Sequence, residues 1–105
     1  MSTSANIHIY NEIACFFIDS ALYSLPVVIY FDAEDIPKIS KGNWQISQVN
    51  YKDITYTVVR ETITKIRLAD VILEGTKGTS VVFRNGNIFD FRKSNIYYKN
   101  SINNK

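Results

Sequence analysis

Apolar and polar residues alternate most clearly in residues 79–92, TSVVFRNGNIFDFR, where two such runs flank Asn85-Gly86. Asn-Gly suits the two central positions of a type I′ turn, because both need a positive φ and both residues tolerate it. The pattern predicts a hairpin in which Arg84 pairs with Asn87, Val82 lies opposite Phe89, and Ser80 lies opposite Phe91. A lone hairpin is marginal in water, so a sheet is expected to receive it.

Elsewhere the periodicity changes. Residues 7–10 alternate briefly, as a short strand or a lead-in. From residue 12 to 24 the positions Ile13, Phe16, Phe17, Ala21 and Ser24 follow helical spacing, and Cys15, Ile18, Leu22 and Leu25 widen the apolar surface. Asn11 reads as the N-cap of this helix, Glu12 as its first-turn acid, and Pro26 as its stop. A buried strand follows at 27–31, then an acidic loop from Asp32 to Pro37. Residues 43–50 alternate with Trp44 and Ile46 on one side, 51–53 read as a turn, and 54–60 are rich in Thr, Val and Tyr, as strands are. Residues 62–74 alternate in two registers, which predicts a strand with a bulge; a helix at 60–70 competes. Gly75 to Gly78 form a loop into the hairpin, and 94–99 add an edge strand. The expected fold is α+β: one N-terminal helix packed on an antiparallel β-meander of five or six strands. Residues 1–105 form a single domain with loose ends at 1–6 and 101–105.

The apolar window 13–31 is 19 residues long with one charge, Asp19. Ser20, Ser24 and Pro26 interrupt it, and residues 1–12 hold no Lys or Arg to begin a signal peptide. Neither a membrane span nor a secretory role is expected.

At 105 residues, 46% hydrophobic and 13% aromatic, the chain has enough apolar surface for one core and is not disordered. The one cysteine, Cys15, allows no internal disulfide and reads as a buried thiol. That fits a reduced compartment such as bacterial cytoplasm. The net charge of +2 is too small to argue for nucleic acid. Its distribution is uneven: residues 1–53 carry six acids and three bases, net −3, and residues 54–105 carry nine bases and four acids, net +5.

His8 is the one histidine, which excludes mechanisms that need two and removes His-rich metal sites. Phosphate-binding glycine loops, nucleophile elbows and zinc-protease motifs are absent. No enzyme, cofactor or metal is expected. Asp32, Glu34 and Asp35 are the densest acidic group, but they lack the glycine and ligand spacing of a calcium loop. They read as a solvated turn or as a patch facing a partner. Arg84, Arg92, Lys93 and Lys99 lie among Phe83, Phe89, Phe91, Tyr97 and Tyr98, a mixture that single-stranded nucleic acid binding uses. The favoured reading is that the rings are core and the bases guard an edge strand.

Short, single-domain, aromatic-rich, with one cysteine and no catalytic motif, the chain resembles the small immunity proteins of bacterial toxin–immunity systems, such as those of contact-dependent growth inhibition. The resemblance lies in overall profile across the whole chain. It implies a cytoplasmic inhibitor that binds a toxin domain and blocks its active site. If the toxin is a nuclease, its basic face would meet acids: Asp32, Glu34 and Asp35, with Asp53 beside them. Tyr30 and Tyr51 would supply aromatic contacts. The alternative is a small nucleic-acid-binding β-domain using the basic and aromatic residues of the second half.

Overall fold

The computed structural model describes residues 7–75 and 80–99. The loose ends expected at 1–6 and 101–105, and most of the loop expected at 75–78, lie outside the described residues. The fold is α+β, with seven strands in three small antiparallel sheets and two short helices among the described residues.

The first sheet has the order β1 (His8–Tyr10), β2 (Ile13–Ile18), β3 (Val27–Asp32). The helix expected at 12–24 is therefore not formed; β2 occupies its first half. Ala14, Phe16 and Ile18 point into the core, while Ile13, Cys15 and Phe17 point out. A run that is apolar on both strand faces also satisfies helical spacing, so periodicity could not separate the two. Pairing decides it: β2 is matched residue for residue from Ile13↔Asp32 to Ile18↔Val27, and from His8↔Cys15 to Tyr10↔Ile13. Asn11 is not an N-cap. It stands at φ 58° in the tight β1–β2 turn.

The second sheet is a two-stranded ribbon of β4 (Trp44–Tyr51) and β5 (Ile54–Glu61), as the alternation there predicted. Its turn residues Lys52 and Asp53 have φ of 51° and 66°. Two positive values are what a type I′ turn requires. Between the two sheets the acidic loop winds into a 3-10 turn, Ala33–Asp35, and helix α1, Ile36–Ile39, with Pro37 in its first turn.

Residues 62–74 are not a bulged strand. They contain helix α2, Leu68–Leu73, which buries Leu68, Ala69 and Ile72. The helical alternative was right in kind but placed eight residues too early at its start. Glu74 closes α2 in the left-handed conformation, φ 56°.

The third sheet pairs β6 (Val81–Phe83) with β7 (Ile96–Tyr98), so the edge strand expected at 94–99 is present. The hairpin expected at 79–92 is not. The chain does turn here, but not as a type I′ turn centred on Asn85-Gly86: the Gly86 N–H donates to the Phe83 carbonyl at 2.9 Å, so Arg84 and Asn85 are central, and Gly86 at φ 80° rather than Asn85 carries the positive φ. The flanks do not pair with each other. Val82 lies opposite Tyr97, and the Arg84 N–H donates to the Asn95 carbonyl at 2.8 Å. Residues 89–91 instead cross to the free side of β3, where Tyr30 and Asp90 form a parallel bridge.

The core lies between these layers. Phe16, Ile29, Phe31, Ile39, Leu68 and Ile72 are fully buried, and Phe16 and Phe31 meet edge to face at 5.9 Å. Each such side chain contributes roughly 1.5–3 kcal/mol by leaving water. The indole N–H of Trp44 donates to the Ile39 carbonyl at 2.8 Å, tying the ribbon to α1.

Candidate protein-binding surface

The acidic loop follows β3 directly. Asp32, Glu34 and Asp35 each place a carboxylate oxygen within 4.8 Å of the others. That spacing can hold a cation, and an ammonium already lies among them. Lys93 Nζ contacts Glu34 Oε2 at 2.5 Å and Asp35 Oδ1 at 3.2 Å, while the Lys93 N–H donates to Asp32 Oδ2 at 2.8 Å. The Lys93 ammonium holds the Glu34 carboxyl below its usual range, and Glu34 in turn raises Lys93. Lys38 adds a second ammonium, 3.6 Å from Asp35 and 2.8 Å from Glu74.

The six residues singled out from the sequence therefore separate. Asp35 is 1% exposed and works as an internal counter-ion. Asp32 is half-buried and anchors the Lys93 backbone. Glu34 is exposed but paired. Tyr30 is 39% exposed, on the same strand face as Asp32. Tyr51 and Asp53 are exposed at the ribbon turn, on a different sheet, where Lys52 Nζ lies 5.3 Å from the Tyr51 ring.

Arg84 and Arg92, singled out in the second half, are likewise engaged. Arg84 stacks over the Tyr97 ring at 4.3 Å. Arg92 donates to both oxygens of Asp90, at 2.9 and 2.6 Å. Phe91 is buried, and Phe83 packs on it edge to face at 5.4 Å. Phe91 is a core side chain, and Phe83 is partly buried against it.

A surface that the sequence reading missed lies on the outer face of the first sheet. The strand registers bring His8, Tyr10, Ile13, Cys15, Phe17, Val28 and Tyr30 to one side, opposite the core. Tyr10 is 79% exposed, Phe17 48% and Ile13 37%. The Phe17 ring meets His8 edge to face at 6.0 Å. Cys15, expected in the core, is half-buried in the middle of this face. Among the described residues no element covers it. Ile13 and Tyr30 floor a shallow dent of about 200 Å³, walled by Asn87, Asp90 and Arg92.

Acids frame this face. Glu12 sits in the β1–β2 turn, and its carbonyl accepts the Ala33 N–H at 2.9 Å, which draws it to the Asp32–Glu34 end. Asp19 is exposed at the opposite end, just after β2. The signal for the face was present in residues 13–18, since both alternate positions are apolar, but a helical reading hid it.

Among the described residues, no helix is long and apolar enough to cross a membrane. Comparison of the chain with protein-family models, with curated proteins and with solved structures gave no match.

Proposed function

We propose that the chain is an inhibitor that binds a basic protein toxin domain, such as a nuclease, and neutralises it by covering its active site. One observation carries this reading: the outer face of β1–β2–β3 is apolar, uncovered and framed by Glu12, Asp19 and Glu34. Exposed apolar patches of this kind mark contact surfaces. An apolar centre with a polar rim is the ordinary anatomy of a protein interface. At this rim Glu34 is paired with Lys93 and Arg92 with Asp90, which leaves Glu12 and Asp19 as the acids that favour a partner with basic contact residues. Phe17 and Tyr10 are the anchors, and the acids steer the encounter.

The test is capture of the partner from nuclease-treated cell extract, followed by assay of its activity with and without this chain. Inhibition at fixed stoichiometry, lost in Phe17→Glu and slowed at low salt by Glu12→Lys with Glu34→Lys, is expected. Inhibition untouched by Phe17→Glu removes the sheet face from the interface. A captured protein whose activity does not change ends the inhibitor reading.

A further inference from the structure

On another part of the molecule a cavity of about 470 Å³ opens between the β4–β5 ribbon and the β6–β7 sheet. Sites that hold small organic ligands span about 300–1,000 Å³ and are mostly apolar with a few polar groups. We propose that this cavity is a binding site for a small, uncharged, ring-bearing molecule.

The lining argues for that class. Tyr51 and Tyr56 stand on the ribbon side, and Phe83 and Phe91 on the other, so rings are available on both walls. Flat ligands gain offset or edge-to-face contacts from such walls beyond the area they bury. Val49, Val58, Val81 and Ile88 complete the apolar surface. The one charged lining residue is Arg67, and its charge is already matched. Its guanidinium donates to Asp70 through Nε at 2.9 Å and Nη2 at 3.0 Å, in the bidentate geometry that carboxylates favour. A charged ligand would give up its hydration here without gaining an unmatched counter-ion. Thr57 and Ser80 are the uncharged polar residues of the lining besides the tyrosines. None of these residues belongs to the outer face of the first sheet, so the site stands whether or not the inhibitor reading does.

Nile red, a neutral multi-ring dye, is the probe. Titration of the full chain is expected to give saturable one-to-one binding with enhanced, blue-shifted emission. Val58→Trp fills the cavity from a strand position that accepts aromatic residues, and should weaken binding at least tenfold. Phe17→Glu, on the outer sheet face, should leave the affinity unchanged. In the unmodified protein, methyl resonances of Val49, Val58, Val81 and Ile88 should shift together on addition of the dye, a readout that does not depend on the variant folding. Absence of saturable binding overturns the proposal. So does binding lost in Phe17→Glu, which would place the dye on the exposed sheet, or methyl shifts confined to residues away from the cavity.

Discussion

The backbone of Tyr30 grips both sides of Asp90. Its N–H donates to the Phe89 carbonyl at 2.9 Å, and its carbonyl accepts the Phe91 N–H at 2.7 Å. Residues 89–91 thus act as a fourth, parallel strand segment on the first sheet. The strand they would have formed with β6 is replaced by β7. Because Asp90 is pinned this way, its carboxylate faces Arg92 and Asn85 rather than water.

Replacement of Asp90 tests this arrangement. Asp90 is 3% exposed, and Arg92 holds its carboxyl below the usual range. Asp90→Asn removes the ion pair but keeps the shape. A loss of ~2–3 kcal/mol in urea unfolding is expected, below the roughly 3–5 of fully buried pairs because Arg92 remains partly solvated. A change within 0.5 kcal/mol, as is ordinary for surface sites, would mean that the pair contributes little.

Gly75 lies against Tyr98. A Cβ at position 75 would stand within van der Waals overlap of the Tyr98 ring. Gly75→Ala should therefore destabilise by about 1–3 kcal/mol. In a Tyr98→Ala background the same substitution should have much less effect. A double-mutant cycle by denaturant unfolding reads the coupling. Equal effects in both backgrounds would show that the two residues do not meet.

Tyr98 predicts an alkaline transition. Burial, and then the hydrogen bond its hydroxyl donates to Asp70 at 2.5 Å, push the phenol up to about 12 from an ordinary 10.0. A raised folded value stabilises the protein below the unfolded value. The contribution is complete below pH 10 and fades as pH rises toward 12. Melting temperature should fall across that window, and Tyr98→Phe should remove this part of the fall. At neutral pH that variant should lose about 1.5–3 kcal/mol, the range for a hydrogen bond to a charged group. An identical alkaline profile in the variant would assign the fall to other tyrosines.

Glu61 predicts an acid transition of the opposite sign. Its carboxylate accepts N–H groups from Thr64 at 2.8 Å, Ile63 at 2.9 Å and Asn43 at 3.2 Å. These bonds, that of Thr64 first, lower it to about 2 from 4.5. A depressed folded value gives stability that is present above pH 4.5 and lost as pH falls toward 2. Glu61→Gln should melt lower than the unmodified protein at pH 6, with the gap narrowing toward pH 2. A gap that does not change with pH would mean that the carboxylate charge is irrelevant to the turn.

The sequence by itself determined the features that depend on neighbours along the chain. The alternation of Trp44 and Ile46 and the Thr-, Val- and Tyr-rich run after Asp53 specified the β4–β5 ribbon, because a two-residue turn brings its strands together locally. Near Asn85-Gly86 only the presence of a turn was legible; its register and type were not, because Gly86 alone takes a positive φ there. The apolar window 13–31 holds no helix among the described residues, because its two ends are the paired strands β2 and β3. Tertiary structure alone decided what each strand pairs with. Ile13 to Ile18 is apolar at every second position in both registers, so β2 is distinguished from a helix only by β1 and β3 on either side. Phe89 to Phe91 has the right pattern to pair with β6, but Tyr30 offers it a free edge and Ile96 to Tyr98 takes its place. The candidate surface followed those choices. Asp35 looked like a contact in a loop of adjacent acids until Lys93, fifty-eight residues away, was folded onto it. Tyr10 and Phe17 came to share one exposed face only when the β1–β2 pairing turned their side chains to the same side of the sheet. Local propensity acts over a few residues, whereas side-chain exposure is set by long-range contacts that no window of sequence contains.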